Sequence, residues 1–110
     1  MKKDFDDAIA DATHAIQLNS KEGNFYSTRG WARYGKGDVS GALQDIKKAV
    51  TLEGVNTLDA AGDQGMIDFI NGDYEGAITL WEKFIRVDVT INRELQPWIE
   101  KAKAKQNQTK

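Results

Sequence analysis

"GDVSGALQDIKKA", residues 37–49, and "GDYEGAITLWEKF", residues 72–84, are two versions of one phrase set 35 residues apart. Each opens on Gly-Asp, carries a Gly-Ala pair (Gly41-Ala42 and Gly76-Ala77) and runs on into an apolar, lysine-bearing segment. The chemistry of the opening is that of a helix-to-helix turn. Glycine takes the left-handed conformation that ends a helix, and an aspartate directly after it caps the next helix through a side-chain oxygen. Apolar residues then recur at helical spacing: Val39, Ala42, Leu43, Ile46, Ala49 and Val50 after the first turn, and Tyr74, Ala77, Ile78, Trp81, Phe84 and Ile85 after the second.

Upstream of each turn lies another such run. Phe25, Tyr26, Gly30, Trp31 and Tyr34 form the first, and Leu58, Ala61, Gly65, Met66, Phe69 and Ile70 the second. Gly30 and Gly65 are again 35 apart, and an offset of 34 aligns Asp38 with Asp4, Ala42 with Ala8 and Ala49 with Ala15. A period of this length marks a stacked two-helix unit. A glycine inside a helix costs about 1 kcal/mol relative to alanine. Two at one phase, opposite Ala42 and Ala77 of the following helices, therefore point to close helix approach. The pattern predicts six helices, over 4–18, 23–36, 39–52, 57–71, 74–87 and 92–106, with short loops and no strand.

The stretches "YSTRGWARYGKGDVSGALQDIKKAVTL" and "AAGDQGMIDFINGDYEGAITLWEKFIRV" resemble the tetratricopeptide-repeat family. The family's aromatic and small positions on the first helix fall on Tyr26 and Gly30, then on Ala61 and Gly65. Its aromatic-x-x-Ala positions on the second helix fall on Val39 with Ala42, then on Tyr74 with Ala77. "DFDDAIADATHAIQL" matches a second helix alone. The proline that often closes a repeat is absent, and Arg33 and Asp68 stand where the family often has a late tyrosine. The resemblance implies an all-α, right-handed α-α superhelix. It would be one domain over 1–110: a second helix of an incomplete repeat (4–18), repeats at 23–52 and 57–87, and a C-terminal capping helix (92–106). "LQPWIEKAKAK" supplies the cap, with Leu95, Trp98, Ile99 and Ala102 as its apolar stripe and Pro97 either starting or kinking it.

Composition narrows the function. The 110 residues carry 15 Lys and Arg against 17 Asp and Glu, a net charge of −2, which gives no global pull toward nucleic acid. Without cysteine there is no disulfide, thiolate ligand or thiol nucleophile. No apolar run approaches the ~20 residues of a membrane helix, and no apolar leader follows Met1, so a cytoplasmic location is expected. His14 is the sole histidine and has neither a nucleophile nor an orienting acid beside it in sequence. Asp7 with Asp11, and Asp59 with Asp63, are helical-turn pairs, too few oxygens for a hard cation and read as solvated faces. "GKGD" at 35–38 lacks the Lys-Ser/Thr ending of a phosphate loop. No cofactor, metal, nucleic acid or catalytic role is expected.

The resemblance implies instead a non-enzymatic protein-interaction scaffold. First helices line a concave groove that takes an extended peptide or a partner's helix. By phase, the groove would present Asn24, Ser27, Thr28, Trp31 and Tyr34 from one helix and Asp59, Gly62, Asp63, Met66, Phe69 and Ile70 from the next, with Trp31 as an aromatic anchor. Chaperone-tail binders of the family clamp a terminal carboxylate with Lys, Asn and Arg at such places. Asp59 and Asp63 would repel one, so the expected partner is a basic or apolar protein segment. The alternative is an interaction segment of a larger enzyme or secretion and assembly machine. On helix 4–18, Phe5, Ala8, Ala12 and Ala15 are read as a small-residue stripe toward a missing partner helix, suited to self-association as a two-fold homodimer.

Overall fold

Gly37 and Gly72 have φ of 100° and 89°, the left-handed values their place after a helix demands. Around each, the chain closes the same paired hydrogen bonds. The Gly37 N–H donates to the Tyr34 carbonyl at 3.0 Å and the Asp38 N–H to the Arg33 carbonyl at 2.8 Å. Gly72 to Phe69 (3.1 Å) and Asp73 to Asp68 (2.8 Å) repeat the arrangement. Asp38 and Asp73 then accept from the third backbone N–H of the next helix, at Gly41 (2.9 Å) and Gly76 (3.0 Å). Six hydrogen bonds, three at each of two positions of the sequence, thus define two equivalent corners.

The computed structural model describes residues 2–53, 58–87 and 92–108, with side chains over 4–53, 60–86 and 95–108. Among the described residues there are six helices and no strand: α1 (Lys2–Leu18), α2 (Gly23–Lys36), α3 (Val39–Glu53), α4 (Leu58–Ile70), α5 (Tyr74–Val87) and α6 (Asn92–Gln108). Each packs chiefly on its neighbours in the chain, giving a helical-repeat stack of 43 × 29 × 23 Å. Pro97 lies inside α6, five residues beyond its first residue.

The two units differ in how they fill the space beside their glycines. A Cβ on Gly30 would lie 2.6 Å from Cγ1 of Ile46 and 3.1 Å from the Ala42 carbonyl oxygen, so α2 and α3 approach as the small-against-small pattern predicts. A Cβ on Gly65 would run into the indole of Trp81, which occupies the place equivalent to Ile46. The second glycine therefore makes room for a tryptophan as well as for a backbone. Ala42 is fully buried. Ala42→Leu should overpack the α2–α3 seam and cost about 1–3 kcal/mol in urea unfolding. A midpoint equal to the parent's would show that this seam is loose.

From Ile46, the core continues through Met66, Phe69, Ala77, Trp81 and Phe84 and ends in Leu95, Ile99 and Ala102 of α6. Three residues of the last helix's apolar stripe are thereby covered, and the fourth, Trp98, only in part. A different adhesive joins the first three helices. Asp45, buried on α3, accepts from Arg29 Nε and Nη2, both at 2.8 Å, and from Arg33 Nη1 at 2.9 Å. Arg29 also reaches Thr13 of α1 at 3.4 Å. The hydrogen bonds that Arg29 donates to Asp45 raise the pKa of its guanidinium above the ordinary value, against the opposing pull of burial.

The second unit lacks this device. Where Arg33 reaches Asp45, its counterpart Asp68 has, among the described residues, only Gln64 Nε2 donating to its side chain, at 3.3 Å, since the position equivalent to Asp45 is Leu80. Burial pushes the Asp68 carboxyl above its ordinary range, Asp73 adds to the rise, and Gln64 opposes it. A raised folded-state value favours the protonated form. Its stabilising effect is present below the unfolded pKa and lost as pH rises through the folded one. Asp68→Asn should therefore raise Tm near neutral pH, and the gain should vanish at about pH 3. A gain that is equal at both pH values would contradict it.

On α1 the structure corrects the reading of the small-residue stripe. The Phe5 ring lies against Gly35 of α2 and Ala12 is buried, while Ala8 and Ala15 are half-buried. The residues α1 turns to solvent include Asp7, Asp11 and His14. Arg29 and Gly35 pull that stripe inward, because Gly35 offers a seat for an aromatic ring. Phe5, Ala8, Ala12 and Ala15 are not the open apolar face that the homodimer expectation needs.

Candidate functional site

Helix α2 follows Gly23 with Asn24, Ser27, Thr28 and Trp31, residues spaced three and four apart and so aligned on one face. They form one wall of a cleft of about 430 Å³. Gly62 and Asp63 of α4 form the facing wall, and Glu53 of α3 joins them. Phe84 of α5 with Leu95 and Trp98 of α6 complete the lining. The volume lies within the range of about 300–1,000 Å³ typical of small ligand sites.

Asp63 ties the walls together. It is 4% exposed. Its Oδ1 accepts from the Ser27 hydroxyl at 2.7 Å and from the Trp31 indole N–H at 2.9 Å, both across from α2. On the same stretch of α4, the Gly62 carbonyl accepts the Trp81 indole N–H at 3.0 Å. Two indoles are thus fixed by adjacent residues, which orients the aromatic cluster beneath the cleft. Trp98 meets Trp31 edge-on with centroids 5.1 Å apart, and meets Tyr34 at 5.4 Å and Phe69 at 5.7 Å. Lys101 lies over the Trp98 ring at 4.7 Å. Such edge-to-face contacts each add about 0.5–1.5 kcal/mol beyond the area they bury.

The structure sorts the groove residues expected from sequence. Asn24, Ser27, Thr28, Trp31, Gly62 and Asp63 line the cleft together. Tyr34 is half-buried among Phe69 and Trp98, outside the lining, and burial raises its phenol above the ordinary range. Met66 and Phe69 are corrected: at 0% and 2% exposure they are core beneath the cleft and do not form its surface. Small Gly65 lets Trp81 come in over them and closes that face. The side chain of Asp59 lies outside the described residues.

Trp98, Leu95, Phe84 and Glu53 escape the sequence reading. Trp98 and Leu95 are assigned there to a cap, where an apolar stripe needs only to be hidden. A tryptophan in that stripe was a signal, since a residue of its reach extends past the adjacent helix. Among the described residues no three His, Cys, Asp or Glu side chains group as a metal site, and no helix is long and apolar enough to cross a membrane.

No family model matches the chain. It is 30% identical over 89 residues to the small glutamine-rich tetratricopeptide repeat-containing protein 2 of Saccharomyces cerevisiae, covering 81% of this chain and 23% of that protein. It is 33% identical over 98 residues to tetratricopeptide repeat protein 36 of Mus musculus, covering 80% of this chain and 53% of that protein. The chain spans well under two thirds of the length of either relative.

Proposed function

Because the chain belongs to the tetratricopeptide-repeat family, we propose that it is a non-enzymatic protein-interaction scaffold whose partner enters the cleft between α2, α4 and α6. The partner is a protein segment, an extended peptide or one face of a helix, and is basic or apolar. One observation carries this reading. Trp31 and Trp98 stay half-exposed at the lining while a buried carboxylate stands between the walls. Half-exposed tryptophans held rigid by hydrogen bonds and ring contacts are strong anchors, since little entropy is lost when a partner covers them. The carboxylates of Asp63 and Glu53 in the same lining disfavour an acidic tail.

Selection of displayed random peptides on the intact chain tests the reading. Basic and apolar sequences should emerge, their binding should weaken with salt, and Trp31→Ala should weaken it by about tenfold or more. Circular dichroism would confirm that the variant stays helical. Recovery of chiefly acidic C-terminal tails, or unchanged binding by a folded Trp31→Ala, would overturn it.

A further inference from the structure

Among the described residues two charged side chains are buried, Asp45 and Asp63, each 4% exposed. Their surroundings differ in one respect. Asp45 is neutralised by Arg29 and Arg33. Asp63 is held by a hydroxyl and an indole, both neutral donors, and takes part in none of the ion pairs among the described residues. A buried charge is costly unless it is paired. Holding α2 to α4 does not require that charge, because an asparagine oxygen would accept the same two hydrogen bonds.

Both donors land on Oδ1. Oδ2 takes neither of them, and Asp63 lines the cleft. Glu53 adds a second carboxylate to that lining, and none of the lining residues is a lysine or arginine. Around the acid stand Trp31 and Trp98, whose ring faces attract cations and cover aliphatic stems. A resident cation on this cluster, Lys101, lies over Trp98 and is not part of the lining.

We infer that the cleft is a socket for one cationic side chain of the partner, a lysine or arginine, whose charge meets Asp63 Oδ2 while its methylenes lie against Trp31 and Trp98. The inference rests on the groove reading above and deepens it. The partner thereby supplies the counter-charge that the chain itself leaves out at Asp63 and provides at Asp45.

The Trp31 indole N–H donates to Asp63 and is the natural reporter. The ¹⁵N-labelled intact chain is titrated at low salt with N-acetyl-lysinamide, N-acetyl-argininamide and uncharged N-acetyl-norleucinamide. Either cation should shift the Trp31 indole resonance saturably, and norleucinamide should not. Asp63→Asn should weaken the response by about tenfold or more. Thr28→Lys, at an exposed position of the lining, should do the same by tethering an ammonium there. If Asp63→Asn does not fold, Thr28→Lys decides. Equal shifts with norleucinamide, no saturable shift with either cation, or a parent-like response in a folded variant would overturn the socket. Selected peptides that still bind after such a failure would leave the groove reading standing. Cation binding with no peptide ever selected would overturn the groove reading and, with it, the assignment of the cation site to a partner's side chain.

Discussion

Asp45→Ala should lower the free energy of unfolding by about 3 kcal/mol, a large part of what a domain of this size possesses. The loss comes less from the hydrogen bonds removed than from what stays behind. Arg29 and Arg33 would keep their charges on half-buried stems, facing each other across the space the carboxylate filled. The α1 contact should loosen as well, because Arg29 is also the donor to Thr13. Urea unfolding gives the total, and hydrogen exchange should show α1 opening first. The companion Asp45→Asn keeps an acceptor without the charge and should fall between parent and alanine. An alanine variant within 1 kcal/mol of the parent would mean that the guanidinium groups reach water freely.

Trp81→Ala should cost about 3–5 kcal/mol. The indole is fully buried between α4 and α5 and touches the rings of Trp31, Phe69 and Trp98. Gly65 cannot fill the void, since it has no side chain to turn into it. The Gly62 carbonyl also loses the indole as a donor. The cleft should suffer with the core, because Trp31 and Trp98 both rest on this ring. A loss of near-ultraviolet ellipticity at retained helix content would display that loosening. Trp81→Phe, which keeps an aromatic ring and gives up the N–H, should recover more than half of the loss. An alanine variant with parental stability would refute the assigned packing of α4 on α5.

The repeat was legible in the chain because its causes are local. A glycine that must turn left-handed, an aspartate that must cap and apolar residues at helical spacing each act within a few residues, so Gly37-Asp38 and Gly72-Asp73 declare the corners by themselves. The α2 wall of the cleft was legible for the same reason: Asn24, Ser27, Thr28 and Trp31 share a face by spacing alone. What lies across from that wall depends on how far each helix pair rotates on the next. Side-chain volume at the seam inside each pair also differs, with Ile46 against Gly30 in one unit and Trp81 against Gly65 in the other. Only the folded chain therefore brings Trp98 against Trp31, buries Met66 and Phe69 and turns Phe5 onto Gly35. The two acids make the same point. In sequence Asp45 and Asp63 are alike, one carboxylate on each of two helices. Tertiary packing gives two arginines to the first and only neutral donors to the second, because a charge's partners are chosen by distance in space and not by distance along the chain.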